Sequence, residues 1–228
     1  MDNRTITALL PMKGHSERVR GKNFRSICGK PLYRWMLDRL LALDVIDRVV
    51  INTDVKQKIF DDGITESEKL LIRDRKPEIC GDDVSMNLVI EDDIEAVQSD
   101  IYLMTHTTNP LLSSGTIENA ISVFTEALND NRADSLFSVN RFQTRFYDRD
   151  ARPVNHDPRK LVKTQDLEPC FEENSCLYLF TRESFYKTGS RIGVKPLLFV
   201  TPKRESIDID DPEDFEMAGI LLDSLRAN

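Results

Sequence analysis

An α/β architecture is predicted from three observations. Short β-rich runs alternate with helical patterns along most of the chain. The 228 residues give a single large domain room for a substantial core. A strongly basic loop follows the first apolar run, where open α/β sheets tend to bind ligands. With 40% hydrophobic and 31% charged residues the composition is that of an ordinary hydrated globular protein. The chain reads as one domain, residues 1–228, carrying an excursion at about 140–173.

The elements follow in order. "ITALLP" is the first strand. "KPLYRWMLDRLLAL" places Leu32, Trp35, Met36, Leu40 and Leu43 at helical spacing, with Pro31 suited to the first turn. "DRVVINTD" and "KLLIRD" read as strands, and "SMNLVIEDDIEAVQS" as an acidic amphipathic helix turning Leu88, Ile94 and Val97 to the sheet. "DIYLMTH" returns to strand. "SGTIENAISVFTEAL" opens on capping residues and keeps Ile117, Ile121, Phe124 and Leu128 on one side. "DSLFSVN" and "CLYLFT" are strands flanking the excursion, where Pro153, Pro158 and Pro169 oppose a continuous helix and favour a β-arm. "PLLFVTP" is the last strand, and a final helix starts near Asp211 and Pro212.

A net charge of −8 and a pI near 5.0 argue against binding nucleic acid or an anionic membrane through a long-range field. No window reaches membrane-spanning length, and the first apolar run is too short for a signal peptide, so a cytoplasmic location is expected. Cys28, Cys80, Cys170 and Cys176 lack paired spacing, which favours reduced thiols over a zinc site or a disulfide scaffold.

Against this acidic background, "LLPMKGHSERVRGKNF" gathers Lys13, Arg18, Arg20 and Lys22. Gly14 and Gly21 permit close backbone approach, Ser16 and Asn23 add polar contacts, and the whole can cradle a polyphosphate. The bland alternative is a solvated basic loop. Neither G-x-x-x-x-G-K-[ST] nor G-x-G-x-x-G is present, which sets aside a Walker loop and a dinucleotide fold.

Near the other end, "ESIDIDDPEDF" supplies Asp208 and Asp210 at i and i+2 of an extended segment, able to reach one hard cation such as Mg²⁺, while Ile207 and Ile209 anchor the opposite face. The rival reading makes Asp210 or Asp211 a helix cap, with Glu213 and Asp214 favouring the helix start.

Together these segments resemble the acylneuraminate cytidylyltransferase family. The match runs through "LLPMKGHSERVRGKNFRSICGKPL", "INTD", "RDRKPEICGDD", "THTTNPLL", "KTQDLEPCFEENSCLYLF" and "ESIDIDDPEDFEMA", in uninterrupted order from about residue 5 to 220. The resemblance implies a three-layer, Rossmann-like fold of the nucleotide-diphospho-sugar transferase type, with a mainly parallel mixed sheet and a small protruding arm. It implies a Mg²⁺-dependent nucleotidyltransferase in which the hydroxyl of a 2-keto sugar acid attacks the α-phosphorus of CTP and pyrophosphate leaves. Lys22, Asp208 and Asp210 are then catalytic, and the two aspartates hold the metal. Lys13, Gly14, Ser16, Asn23 and Arg75 bind the nucleotide, while His106, Gln165 and Asn174 face the sugar. A homodimer is also implied, and the excursion is either the arm that reaches the partner or a lid on a monomer. Lys13 stands where the family has arginine, and His106, Asn109, Leu112 and Ser175 replace usual acceptor-side residues, which points to a diverged acceptor. The other readings weighed are a nucleotide-binding homologue without catalysis and an Asp-x-Asp glycosyltransferase, whose motif belongs mid-chain.

Overall fold

The computed structural model describes residues 4–16 and 18–226. In chain order the strands are β1 (Ile6–Leu9), β2 (Ser26–Ile27), β3 (Lys30–Pro31), β4 (Arg48–Thr53), β5 (Leu70–Asp74), β6 (Ile101–Thr105), β7 (Ser135–Phe142), β8 (Cys170–Phe180) and β9 (Pro196–Val200). The α-helices are α1 (Leu32–Ala42), α2 (Lys56–Asp61), α3 (Met86–Ala96), α4 (Ser114–Asn129), α5 (Arg182–Thr188) and α6 (Pro212–Arg226).

Seven strands form one sheet in the order β5-β4-β1-β6-β8-β7-β9. Only β8 runs against its neighbours; the β5/β4, β4/β1, β1/β6 and β7/β9 pairs are parallel. Every residue of β1 is buried, as a strand covered on both faces requires. Tyr33, Met36, Leu37 and Leu40 of α1 and Ile117, Ile121 and Phe124 of α4 pack with Ala8 and Leu10 in one core cluster. Ile90 and Ile94 of α3 and Phe185 of α5 pack with Leu9, Val50, Tyr102 and Met104 in a second. Helices therefore cover both faces, giving the three-layer, mainly parallel mixed sheet expected. In a third cluster, Phe215, Ala218 and Leu222 of α6 cover Val19, Ile27, Leu32 and Leu111.

One expectation for α3 needs correction: Ile94 and Val97 are buried as expected, but Leu88 is 48% exposed. The inner side of α3 also carries Val89, Ile90 and Asp93, because Arg73 and Asn52 bond Oδ1 of the buried Asp93 at a position that otherwise takes an apolar residue. Beyond Val139 and Glu173, β7 and β8 pair only with each other, out to Phe142↔Cys170, so the excursion leaves the main sheet as a two-stranded ribbon. The intervening residues 143–169 form an arm on this ribbon, folded back by the Tyr147↔Pro153 bridge.

Candidate active site

Strand order reverses at β1: the chain leaves it toward β4 on one side and reaches β6 on the other. Loops from neighbouring strand ends diverge at such a point and leave a crevice. A cavity of ≈ 350 Å³ opens there, lined by the basic loop, Arg75, Asp82, Met86 and residues 106–108.

The loop is held from its first residues. Leu10 and Met12 donate their amides to the Val50 and Asn52 carbonyls at 2.8 and 3.0 Å, so the chain follows β4 past the end of β1. Gly14 then passes against Val55, whose Cγ1 would lie 2.2 Å from any Cβ, and donates its amide to Asp54 Oδ1 at 2.7 Å. Its glycine is thus required by a protein contact, and Gly14 lies outside the cavity lining. Buried Asn23 donates to the Lys13 carbonyl at 2.7 Å and accepts from the Thr107 hydroxyl at 2.6 Å, tying the loop to the strand end across the crevice.

Arg75 is fixed as firmly. Its guanidinium donates to Asn52 Oδ1 at 2.9 Å, to the Asn52 carbonyl at 2.8 Å and to the Met12 carbonyl at 3.3 Å. Asn52 in turn donates to Asp92 and Asp93, which Arg73 neutralises. Burial outweighs these charges at Asp93 and pushes its carboxyl up to about 6.

The C-terminal segment completes the wall. Ile209 is buried; its amide donates to the Thr108 carbonyl at 2.9 Å and its own carbonyl accepts from Lys22 Nζ. Lys22 Nζ consequently lies 4.0 Å from Asp210 Oδ1, and Arg18 pairs with the same oxygen at 2.8 Å. Lys22 is drawn below its usual range by burial, against the pull of Asp208 and Asp210. Asp208 is held above the usual carboxylate range by burial and by Asp210, with the Thr108 hydroxyl and Lys22 opposing.

The capping alternative is settled by geometry. Asp211 Oδ1 accepts the amides of Glu213 and Asp214 at 2.8 and 2.9 Å, and Asp214 Oδ2 accepts those of Asp210 and Asp211 at 2.9 and 3.0 Å. Those two side chains start α6. Asp208 and Asp210 lie outside the cavity lining, beside Lys22.

The expected residues divide accordingly. Lys13, Ser16, Lys22, Asn23, Arg75 and His106 line the cavity, with Asp208 and Asp210 beside Lys22. Lys13 is paired with Asp82 at 2.8 Å. His106 is pushed down to about 3 by burial and by the charges of Arg191 and Lys22, so its ring is neutral at ordinary pH. Gln165 is exposed on the arm, away from the lining, with its carbonyl accepting from Gln143. Asn174 is buried between strands, donating to Asn140 Oδ1 and Thr201 Oγ1 and accepting the Cys176 amide. It does not line the cavity either. Arg18, present among the clustered cations of the sequence, was not singled out there; Arg191, a lone arginine in a loop, gave no sequence signal.

With cations converging at the strand-order reversal of its sheet, the chain is, by class, an α/β protein with a cationic ligand crevice. More narrowly, it belongs to the cytidylyltransferase family, whose sequence model, described as Cytidylyltransferase, matches residues 7–217. It is 26% identical over 225 residues to the pseudaminic acid cytidylyltransferase of Campylobacter jejuni, covering 93% of this chain and 94% of that one. It is 27% identical over 231 residues to the CMP-N,N'-diacetyllegionaminic acid synthase of Legionella pneumophila, covering 96% of each. The solved CMP:2-keto-3-deoxy-manno-octonic acid synthetase in complex with CTP superposes with a TM-score of 0.68 at 15% identity, covering 96% of this chain and 99% of that one. That structure attests the fold.

Proposed function

We infer that the protein transfers CMP from CTP to the hydroxyl of a 2-keto sugar acid and releases pyrophosphate. The observation that carries this reading is that Lys22, from the first loop and lining the crevice, lies beside Asp208 and Asp210 of the last extended segment, its Nζ 4.0 Å from Asp210. Two relatives spanning nearly the whole chain are named for CMP transfer to such acids.

Phosphoryl-type transfer depends on positioning and on neutralising phosphate oxygens. Lys22, half-buried and pre-aimed by the Ile209 carbonyl, meets the triphosphate at a fixed point. Lys13 and Arg18 now rest on Asp82 and Asp210, exposed counter-ions that exchange readily for phosphate. Arg75, immobilised on Asn52, binds the nucleotide without reorganising. His106, neutral, offers a hydrogen bond to the acceptor.

Mg²⁺ fits the carboxylate pair. Among the described residues Asp208 Oδ1 is buried without a hydrogen-bond partner, and no group of three or more His, Cys, Asp or Glu forms a closed cage. Two aspartates plus substrate oxygens suit an ion that keeps few protein ligands. When bound, the ion neutralises phosphate charge and lowers the pKa of an attacking hydroxyl.

Pyrophosphate release from CTP, with and without Mg²⁺, against N-acetylneuraminic, pseudaminic, N,N'-diacetyllegionaminic and 2-keto-3-deoxy-manno-octonic acids tests this reading. Metal-dependent release with at least one acid is expected, and its loss in Asp210→Asn with the fold intact. Silence across the panel from folded, CTP-binding protein refutes the function, and normal turnover in the variant removes Asp210 from the metal.

We propose further that the arm joins two copies, since it displays Leu161, Val154 and Tyr147 at 86%, 61% and 54% exposure. A cytoplasmic setting accords with four free thiols, and cell fractionation checks it.

A further inference from the structure

One further cation lies close to the crevice without lining it. Lys13, Arg18, Lys22 and Arg75 all line the cavity. Arg191 stands apart, in the loop between α5 and β9. Its guanidinium lies 3.7 Å over the Tyr178 ring, donates to the Tyr178 hydroxyl at 2.9 Å, and touches Met104 Sδ at 3.6 Å. Met104 and His106 are two residues apart at the end of β6, so they lean to the same face of the sheet. Met86, which lines the cavity, packs into the same cluster as Met104 and Tyr178. Arg191 is therefore behind the His106 end of the crevice.

Its charge is incompletely matched. The Arg191 side chain is 18% exposed, yet its carboxylate partner, Glu173, lies at 3.6 Å, beyond hydrogen-bond reach, with Oε1 already accepting the Tyr178 hydroxyl. A cation sheltered to this degree gains most from a second, closely bonded anion. The Tyr178 ring lies against the guanidinium, and Nη1 and Nη2 each use one N–H, on Met104 Sδ and the Tyr178 hydroxyl, which leaves further N–H groups for a carboxylate. Ser175 adopts φ 57, a left-handed conformation, and bonds the Tyr178 hydroxyl at 3.1 Å, so the ring beneath the cation is itself fixed.

We propose that Arg191 receives the carboxylate of the acceptor acid beside His106, and so selects acids over neutral sugars. This rests on the sugar-acid reading above. Of the two substrates only the acceptor brings a carboxylate, and the only phosphates at issue belong at the Lys22 end. Leu112, where a family arginine is expected, is buried in the core and supplies no such charge.

The test uses whichever acid of the panel turns over fastest, together with its carboxamide, in wild type, Arg191→Met and Arg191→Lys. Acid binding is also followed directly by calorimetry in the presence of CTP. Arg191→Met is expected to raise KM and Kd for the acid about 10- to 100-fold. KM for CTP should stay within about twofold, and the preference for carboxylate over carboxamide should collapse. Arg191→Lys should fall between, keeping charge but losing the fork. Unchanged acid affinity, or equal losses for acid and CTP, overturns the proposal. If the methionine variant does not fold, an Arg191→Lys protein with wild-type acid affinity and selectivity does the same. Acid binding that depends on Arg191 without pyrophosphate release sinks the transfer reading and leaves this one standing, whereas no acid binding to wild type overturns this one.

Discussion

Lowering the pH should stabilise this protein through Asp93, against the usual trend for carboxylates. The group is buried under α3 and its carboxyl sits at about 6, against about 3.9 for an exposed aspartate. A folded-state value above the unfolded one gives stability that is complete below the unfolded value and lost as pH rises through the folded one. At pH 7 the contribution is nearly gone. At pH 5 the folded state holds most of a proton that the unfolded state has largely released, and the difference between the two conditions is on the order of 1 kcal/mol. Asp82, Asp92, Asp100 and Asp157 are shifted downward and act in the opposite sense. Comparison with Asp93→Asn removes their common part. Chemical denaturation of both proteins at pH 7 and pH 5 should show wild type gaining on the order of 1 kcal/mol relative to the variant on acidification. No relative gain, or a relative loss, would mean that Arg73 and Asn52 overcome burial and that the reasoning about α3 is wrong.

Gly14→Ala should cost about 1–3 kcal/mol of stability, because Val55 must give way to a methyl group 2.2 Å from its Cγ1. Displacement of the loop should also weaken CTP binding, read by calorimetry; an unperturbed variant would show that the loop relaxes freely. Light scattering should give the mass of a dimer, with Leu161→Asp or Val154→Asp shifting it toward monomer, and a monomeric wild type ends the arm proposal.

How far the sequence could be read differs by element. α1 and α4 were legible because their apolar residues hold helical spacing over three or more turns. α3 was read correctly at Ile94 and Val97 and wrongly at Leu88, since Asp93 occupies a core position that pattern reading assigns to solvent. The hairpin of β2 and β3 escaped notice, although Cys28 and Gly29, at φ 48 and 87, make the two-residue turn such hairpins favour. α5 is only seven residues long, too short for periodicity, but its Thr181–Ser184 capping box was there to be seen. At the site, charge in an unexpected place was the signal: clustered lysines and arginines in an acidic chain, and paired aspartates between isoleucines. Asn174 misled because a polar residue near a strand end reads the same whether it faces a ligand or bonds Asn140 and Thr201 in the interior. Arg191 draws its meaning from Tyr178 and Met104, neighbours that only folding supplies.

The Lys22 ammonium and the Ile209 carbonyl are 187 positions apart along the chain. On the function proposed above, a polypeptide made from its amino end can thus lay down β1 through β8 and still lack a working centre, because the carboxylates arrive with the final stretch before α6. Competence is the last thing assembly confers, so an intermediate with the sheet formed but that stretch undocked should hold no nucleotide firmly and do no chemistry on it.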